Sequence, residues 1–167
     1  NIPILFVEGF EADDVIGTLA KQASNHGFLT YMVTPDKDFA QLVSESIFMY
    51  RPGNRGSKHQ IWNVETVCEK FGIDYVHQVI DYLGMVGDAV DNIPGIAGVG
   101  PKTASKLLKK YGSLEEVYNS IENLEGKLKE KIINSQSNAI LSKQLAKIVV
   151  DAPIQLDSND LKIIEPN

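Results

Sequence analysis

The sequence predicts an α/β fold, with helices on a largely parallel sheet, followed by an all-helical subdomain. Short apolar runs alternate with helical periodicity from residue 2 to residue 63, and after Asn63 only helical periodicity remains. The chain has 167 residues, 43% of them hydrophobic, enough to bury one core with a small appendage. The expected division is 1–63 for the α/β part, 64–150 for the helical part and 151–167 for an extended tail.

Residues 2–7 (IPILFV) read as a short buried strand. Glu11 then opens a helix to about His26, with Val15, Ile16, Leu19, Ala20 and Ala23 at helical spacing and Gly27 as its stop. Leu29–Thr34 is a second strand, Phe39–Val43 a short helix, Ile47–Arg51 a third strand and Gln60–Asn63 a short return strand. Helices are expected over Val64–Phe71 and Val76–Met85. Pro94–Pro101 is a sharp hairpin with a helix over Lys102–Tyr111 behind it. Ser113 caps Leu114–Asn119 with Glu116 closing a capping box, and helical spacing returns at Lys127–Ile133 and Asn138–Ile148.

The formal charge of −6 argues at first against a nucleic-acid partner. Its distribution argues the other way. Seven acids form three clusters: Glu11, Asp13 and Asp14; Asp36 and Asp38; Asp88 and Asp91. Without them 15 acids face 16 bases and the balance turns to +1. Residues 92–114 hold Lys102, Lys106, Lys109 and Lys110 and no acid. An acidic focus beside a basic stretch suits a metal-using phosphodiesterase. No apolar run reaches the roughly 18 residues of a membrane span, so no membrane partner is expected. No secretory pattern is visible, and with Cys68 as the single cysteine a reduced cytoplasmic setting is expected. Cys68 itself reads as a small helix residue facing the core.

Each acidic cluster has an ordinary reading. Glu11, Asp13 and Asp14 could complement a helix dipole, Asp36 and Asp38 could make an Asx turn with a cap, and Asp88 and Asp91 could be a solvated face. The first two hold more carboxylates than those readings need, and the three together are more specific than any one of them. Asp36 and Asp38 follow a strand directly, where sites in open α/β sheets gather. The i, i+3 spacing of Asp88 and Asp91 puts both on one face of a helical turn. Their mutual repulsion would cost stability unless cations share them. Hard oxygen donors without His or Cys suit Mg²⁺ or Mn²⁺ and disfavour Zn²⁺.

The run Gly95-Ile-Ala-Gly98-Val99-Gly100-Pro-Lys102-Thr103 resembles a helix–hairpin–helix element. Its glycines let backbone approach phosphate oxygens, the opening of the Lys102 helix is an anion site, and Lys102 and Lys106 add charge without reading sequence. A mere tight turn is the ordinary alternative. Trp62, Phe71, Tyr82 and Tyr111 read as core residues, and His26, His59 and His77 receive no role.

Taken in order, GFEADDVIGTLA, TPDKDFAQLV and GDAVDNIPGIAGVGPKTA resemble the 5′-nuclease domains of bacterial DNA polymerase I and their stand-alone relatives, in the flap endonuclease family. The resemblance runs from about Ile2 to Pro153. It implies a PIN-like sheet carrying a helix–three-turn–helix subdomain. It implies that Glu11, Asp13, Asp14, Asp36, Asp38, Asp88 and Asp91 bind two divalent cations, with Asp13, Asp14, Asp36 and Asp38 central to catalysis. It also implies that Gly95, Gly98, Val99, Gly100, Lys102, Thr103 and Lys106 grip duplex DNA, with a monovalent cation such as K⁺ on hairpin carbonyls.

The implied reaction is two-metal hydrolysis of a DNA phosphodiester, leaving a 5′-phosphate and a 3′-hydroxyl. The implied substrate is a branched duplex with a 5′ flap, or a nicked 5′ end. The enzyme is expected to be a monomer, with polymerase domains in the same parent polypeptide, acting in replication and repair. Family members also carry an earlier strand with a further metal-binding Asp and a basic helical arch. Neither is among these residues, so the chain is expected to be an N-terminally truncated piece whose own activity is impaired. Two other readings stand beside this one: a PIN-type ribonuclease, which lacks the glycine hairpin, and a duplex-binding module without catalysis.

Overall fold

Strand β1 (Thr30–Val33) pairs in parallel with β2 (Ile47–Arg51), Thr30 opposite Ile47, and β3 (Gln60–Trp62) adds antiparallel to β2 with Trp62 opposite Met49. This is a computed structural model, and it describes residues 3–53, 56, 58–155, 157, 159 and 162. The sheet order is β1-β2-β3, which makes β2 the central strand. Strand side chains alternate between faces, so Ile47 and Met49 point inward together and are fully buried, joined by Met32 of β1. On the other face Tyr31 stacks on Phe48 at 5.2 Å between ring centroids.

Helix α1 (Ala12–Asn25) precedes the sheet and packs on it through Val15, Thr18 and Ala20. Gly17 lies where a Cβ would stand 2.9 Å from Ile148 Cγ2, so its missing side chain lets the returning chain approach. A 3₁₀ turn, Lys37–Leu42, follows β1, with the Asp36 side chain accepting from the Asp38 N–H at its start. Helix α2 (Val64–Phe71) begins at Asn63, whose side chain accepts from the Thr66 N–H at 2.9 Å, and ends at Gly72 in the left-handed region.

The helical part comprises α3 (Val79–Val86), α4 (Pro101–Tyr111), α5 (Leu114–Asn119), α6 (Gly126–Asn134) and α7 (Gln136–Leu145). One continuous core joins it to the sheet, running from Met49 and Trp62 through Leu83 and Leu107 to Ile132. Phe71 is also buried and Tyr82 and Cys68 half-buried against it, as core residues should be. Burial pushes the Cys68 thiol up, as does the nearby Asp74 carboxylate.

Buried polar groups fix how the helices meet. Asp81, only 4% exposed, binds Lys143 of α7 at 2.6 Å and accepts from the Leu114 N–H, and Lys143 also binds Glu115 at 2.7 Å. The Gln78 amide accepts from the Asp74 and Tyr75 N–H groups and donates to the Gly112 carbonyl at 2.7 Å.

After α7 the chain returns to the sheet part. Gln41 donates to the Ala146 carbonyl and accepts from the Ile148 N–H, and the Thr18 hydroxyl accepts from the Ala152 N–H. Residues 151–155 have no helix or strand.

Several expectations need correction. Ile2 lies outside the described residues, and 3–7 form no strand: Ile4 is 95% and Phe6 83% exposed. An apolar run becomes a strand only beside a neighbour that takes up its N–H and C=O groups, and none of the described strands runs along it. The expected Val76–Met85 helix is a 3₁₀ turn, Val76–Gln78, leading into α3. Of the Ser113 capping box, the half in which Ser113 accepts from the Glu116 N–H is present. Asp88 and Asp91 are not on a helical turn. Gly87 ends α3 at φ +72, Asn92 takes φ +58, and an antiparallel bridge between Asp88 and Ile93 closes the loop.

Candidate active site

The carboxyl end of β1, the start of α1 and the loop after α3 meet around one cavity of about 650 Å³. Glu11, Asp13, Asp36, Asp38 and Asp91 line it. Five carboxylates from three separated segments thus face one space. Asp14 and Asp88 do not line it. Asp14 accepts from the Glu11 N–H at 3.2 Å and from the Val149 N–H at 2.8 Å. Asp88 is ion-paired with Lys37 and accepts from the Val90 N–H at 2.8 Å. Among the described residues no three of these side chains come close enough together to share one ion.

Burial and like charge set the electrostatics of the cavity. Burial, reinforced by the neighbouring Asp36 carboxylate and opposed by Lys37, pushes the Asp38 carboxyl up to about 6. Burial also raises Asp13, against a hydrogen bond from the Asp14 N–H. Asp38 Oδ1 is buried and has no hydrogen-bond partner. A buried carboxylate oxygen without a donor is costly, and a cation at that point would remove the cost. A cavity lined by carboxylates without His or Cys suits a hard divalent cation over a soft one.

Among the described residues Lys37 is the cation ion-paired with this cluster. Burial would lower its pKa, but its bond to Asp88 and the charges of Asp38 and Asp36 prevail and hold the ammonium above the usual lysine value. In return the Lys37 bond, with help from the Val90 N–H, holds Asp88 below the usual carboxylate range. The sequence places Lys37 between two acids but says nothing of Asp88 as its partner.

The second element is the hairpin between α3 and α4. Gly95 stands at φ +61, and a Cβ there would meet the Gly87 nitrogen at 2.6 Å. The Gly95 N–H donates to Ser142 Oγ at 2.8 Å, and the Ile96 N–H to the Met85 carbonyl. Ile96 and Val99 are buried. Gly95 and Val99 therefore hold the loop from inside, while Gly98, Gly100, Lys102 and Lys106 form its exposed surface and Thr103 is half-buried. Gly100 precedes α4 with open space where a Cβ would stand. Lys131 of α6 also reaches the loop, donating to the Gly98 carbonyl at 3.4 Å. Nothing in the local sequence signals that contact or the Ser142 anchor, because both partners lie more than 30 residues away.

Similarity to known proteins agrees with this arrangement. The family model described as the 5′-3′ exonuclease N-terminal resolvase-like domain matches residues 1–72, and that described as the 5′-3′ exonuclease C-terminal SAM fold matches 75–167. A 5′-3′ exonuclease of Aquifex aeolicus is 44% identical over 167 residues, covering 100% of this chain and 55% of that protein. DNA polymerase I of Caldicellulosiruptor bescii is 41% identical over 169 residues, covering 100% of this chain and 20% of that protein. The chain thus spans about half of the first relative and a fifth of the second. Among solved structures, T5 5′-exonuclease with divalent metal ions (zinc) bound superposes with a TM-score of 0.73 at 22% identity, over 86% of this chain and 52% of that one. The catalytic core of Rad2 in complex with DNA substrate gives 0.55 at 14% identity, over 82% and 50%. The two structural likenesses show a common fold: a resolvase-like sheet domain joined to a helical one.

Proposed function

The chain belongs to the 5′-3′ exonuclease family, and from that premise we propose that it carries the acidic centre and duplex grip of a divalent-metal-dependent nuclease acting at 5′ ends of DNA. The observation that carries this reading is the cavity that gathers Glu11, Asp13, Asp36, Asp38 and Asp91 around a buried, partnerless Asp38 oxygen. Asp13, Asp36, Asp38 and Asp91 would hold Mg²⁺ or Mn²⁺ together with water ligands, since no three of them meet at one point among the described residues, with Glu11 at the rim. Asp14 and Asp88 belong to the proposed set through the family pattern, and here they hold α1 and Lys37. Held there, such ions would supply Lewis acidity to activate water near neutral pH and to ease charge on the reacting oxygens.

The chain's own groups do the rest. Asp36 holds the start of the 3₁₀ turn through the Asp38 N–H and so fixes where Asp38 points. Lys37 draws charge from Asp88 and leaves the cavity carboxylates to the ions. The surface of Gly98, Gly100, Thr103, Lys102 and Lys106 holds the phosphate backbone without reading bases, and the hairpin carbonyls are the place for K⁺. The proposed substrate is a duplex with a 5′ flap or nicked 5′ end. The proposed setting is a cytoplasmic monomer within a DNA polymerase I-type polypeptide. The printed titles of the relatives, a 5′-3′ exonuclease, DNA polymerase I and structures with divalent metal or DNA, support this reading.

The test is cleavage of a 5′-labelled flap in Mg²⁺, with EDTA, and beside single-stranded RNA of the same length, using this chain and a full-length parent. Metal-dependent cutting of the DNA flap by the parent, lost in Asp36→Ala with Asp38→Ala, is the expected result. Preferential cutting of the RNA would replace this reading with that of a ribonuclease.

A further inference from the structure

A second cleft, of about 370 Å³, is lined by residues of both the sheet part and the helical part, Lys37 among them. Lys37, Arg51 and Lys70 line it, together with Trp62, Tyr82 and Pro101. No carboxylate does, in a chain whose net charge is −6. The Arg51 guanidinium lies 4.4 Å and the Lys70 ammonium 5.0 Å from the centre of the same Trp62 ring. Lys37 is compensated by Asp88, but among the described residues neither Arg51 nor Lys70 has an acid within ion-pair distance. Arg51 also donates to the Pro35 carbonyl, which adds no counter-charge, so two like charges share one indole and a bound anion near them would offset their repulsion.

The position of the cleft selects the anion. Pro101 is the first residue of α4, directly behind the exposed hairpin surface, so the cleft opens beside the proposed duplex grip. We propose that Arg51 and Lys70 form a second phosphate-binding subsite, taking a backbone phosphate of the same nucleic-acid strand that the hairpin holds. The two subsites then fix the duplex at two points, one on each structural part, and so set its angle to the acidic cavity. A guanidinium offers forked donors to a phosphate and a lysine a point charge, which makes the pair a backbone grip without base preference. This inference rests on the DNA-binding reading above.

The experiment measures binding of a fluorescein-labelled blunt duplex by anisotropy, without divalent metal, from 50 to 200 mM salt. Each lost phosphate contact flattens the slope of log K against log[salt] by about one unit. Arg51→Gln with Lys70→Gln is expected to flatten it by about two, equally for unrelated sequences, and Arg51→Lys to restore most of it. Lys102→Ala should flatten it by about one. An unchanged slope in the double variant, with Lys102→Ala flattened, overturns the second subsite and leaves the hairpin reading standing. A wild-type chain with no salt-dependent duplex binding overturns both. Lys70 is exposed, so Lys70→Gln alone decides the matter if Arg51→Gln disturbs the packing on Trp62. A flattening of about one supports the subsite, and none overturns it.

Discussion

Asp14 Oδ1 accepts a hydrogen bond from the Val149 N–H at 2.8 Å, joining residues 135 positions apart. The same carboxylate accepts from the Glu11 N–H at the start of α1. An acid that the sequence groups with Asp13 as a metal ligand is thus also a clasp between the first helix and the returning chain. Asp14→Ala should cost about 1–2 kcal/mol of stability without any metal present, as loss of a cap and a long-range hydrogen bond does. Urea unfolding in EDTA reads this directly. A midpoint equal to that of the wild-type chain would leave Asp14 with no structural task.

Asp38 should act in the opposite direction. Its carboxyl titrates at about 6 in the folded chain against 3.8 for the free group. The folded state therefore keeps a proton that the unfolded state has lost between those values. Metal-free stability should fall as pH rises through this window, and the full penalty persists above about 6. Asp38→Asn should remove the Asp38 share of that slope, leaving that of Asp13, and stabilise the metal-free chain by about 1–2 kcal/mol at pH 7, after allowance for solvent screening. Thermal melting from pH 4 to pH 7.5 in EDTA is the measurement, and a variant no more stable than wild type at pH 7 would refute the prediction.

Cations should reverse the Asp38 penalty. Millimolar Mn²⁺ or Mg²⁺ is expected to raise the melting temperature of the wild-type chain by linkage, and to do so far less in Asp36→Ala with Asp38→Ala. Equal shifts in both would place the bound ion elsewhere.

Lys143 should be among the most sensitive surface-derived positions. It is the partner of Asp81, whose side chain is 6% exposed at 2.6 Å from the ammonium. Lys143→Ala leaves that charge buried and unpaired, at a cost of about 3–5 kcal/mol. Lys143→Met with Asp81→Leu should recover much of the loss, because the uncompensated charge is gone. If the double variant is no more stable than Lys143→Ala, the cost came from packing and not from charge.

Two hairpin glycines should separate folding from binding. At Gly95 an added Cβ meets backbone at 2.6 Å in a left-handed conformation, so Gly95→Ala should lower the melting temperature and release the hairpin. Gly100 has φ −102 and open space around it, so Gly100→Ala should fold as well as wild type. It should still bind duplex less tightly, because a methyl keeps the backbone from the phosphate. Normal duplex affinity in Gly100→Ala would remove that residue from the interface.

Local signals in the sequence were read well where a single segment contains its own cause. Helix α2 spans the expected Val64–Phe71, although Asn63, expected to end the return strand, caps it instead, and the hairpin follows from three glycines in six positions. The run at 2–7 misled because its apolar pattern is a strand pattern only in the presence of a neighbour. The loop of Asp88 and Asp91 misled because i, i+3 spacing describes a helix, and Gly87 with Asn92 turns the chain before one can form.

By itself the sequence determined the kinds of chemistry present: clustered carboxylates, a glycine hairpin and a lysine-bearing helix, each written in consecutive residues. Only the tertiary structure decided which of those acids face one cavity. Asp91 joins Asp13, Asp36 and Asp38 there because the Asp88–Ile93 bridge and the Ser142 anchor fix the loop after α3. Asp14 and Asp88 spend their oxygens on Val149 and Lys37 instead. The physical reason is that a hydrogen-bond or ion-pair partner is chosen by distance in space, and distance in space is set by the shared core, in which every element's position depends on all the others.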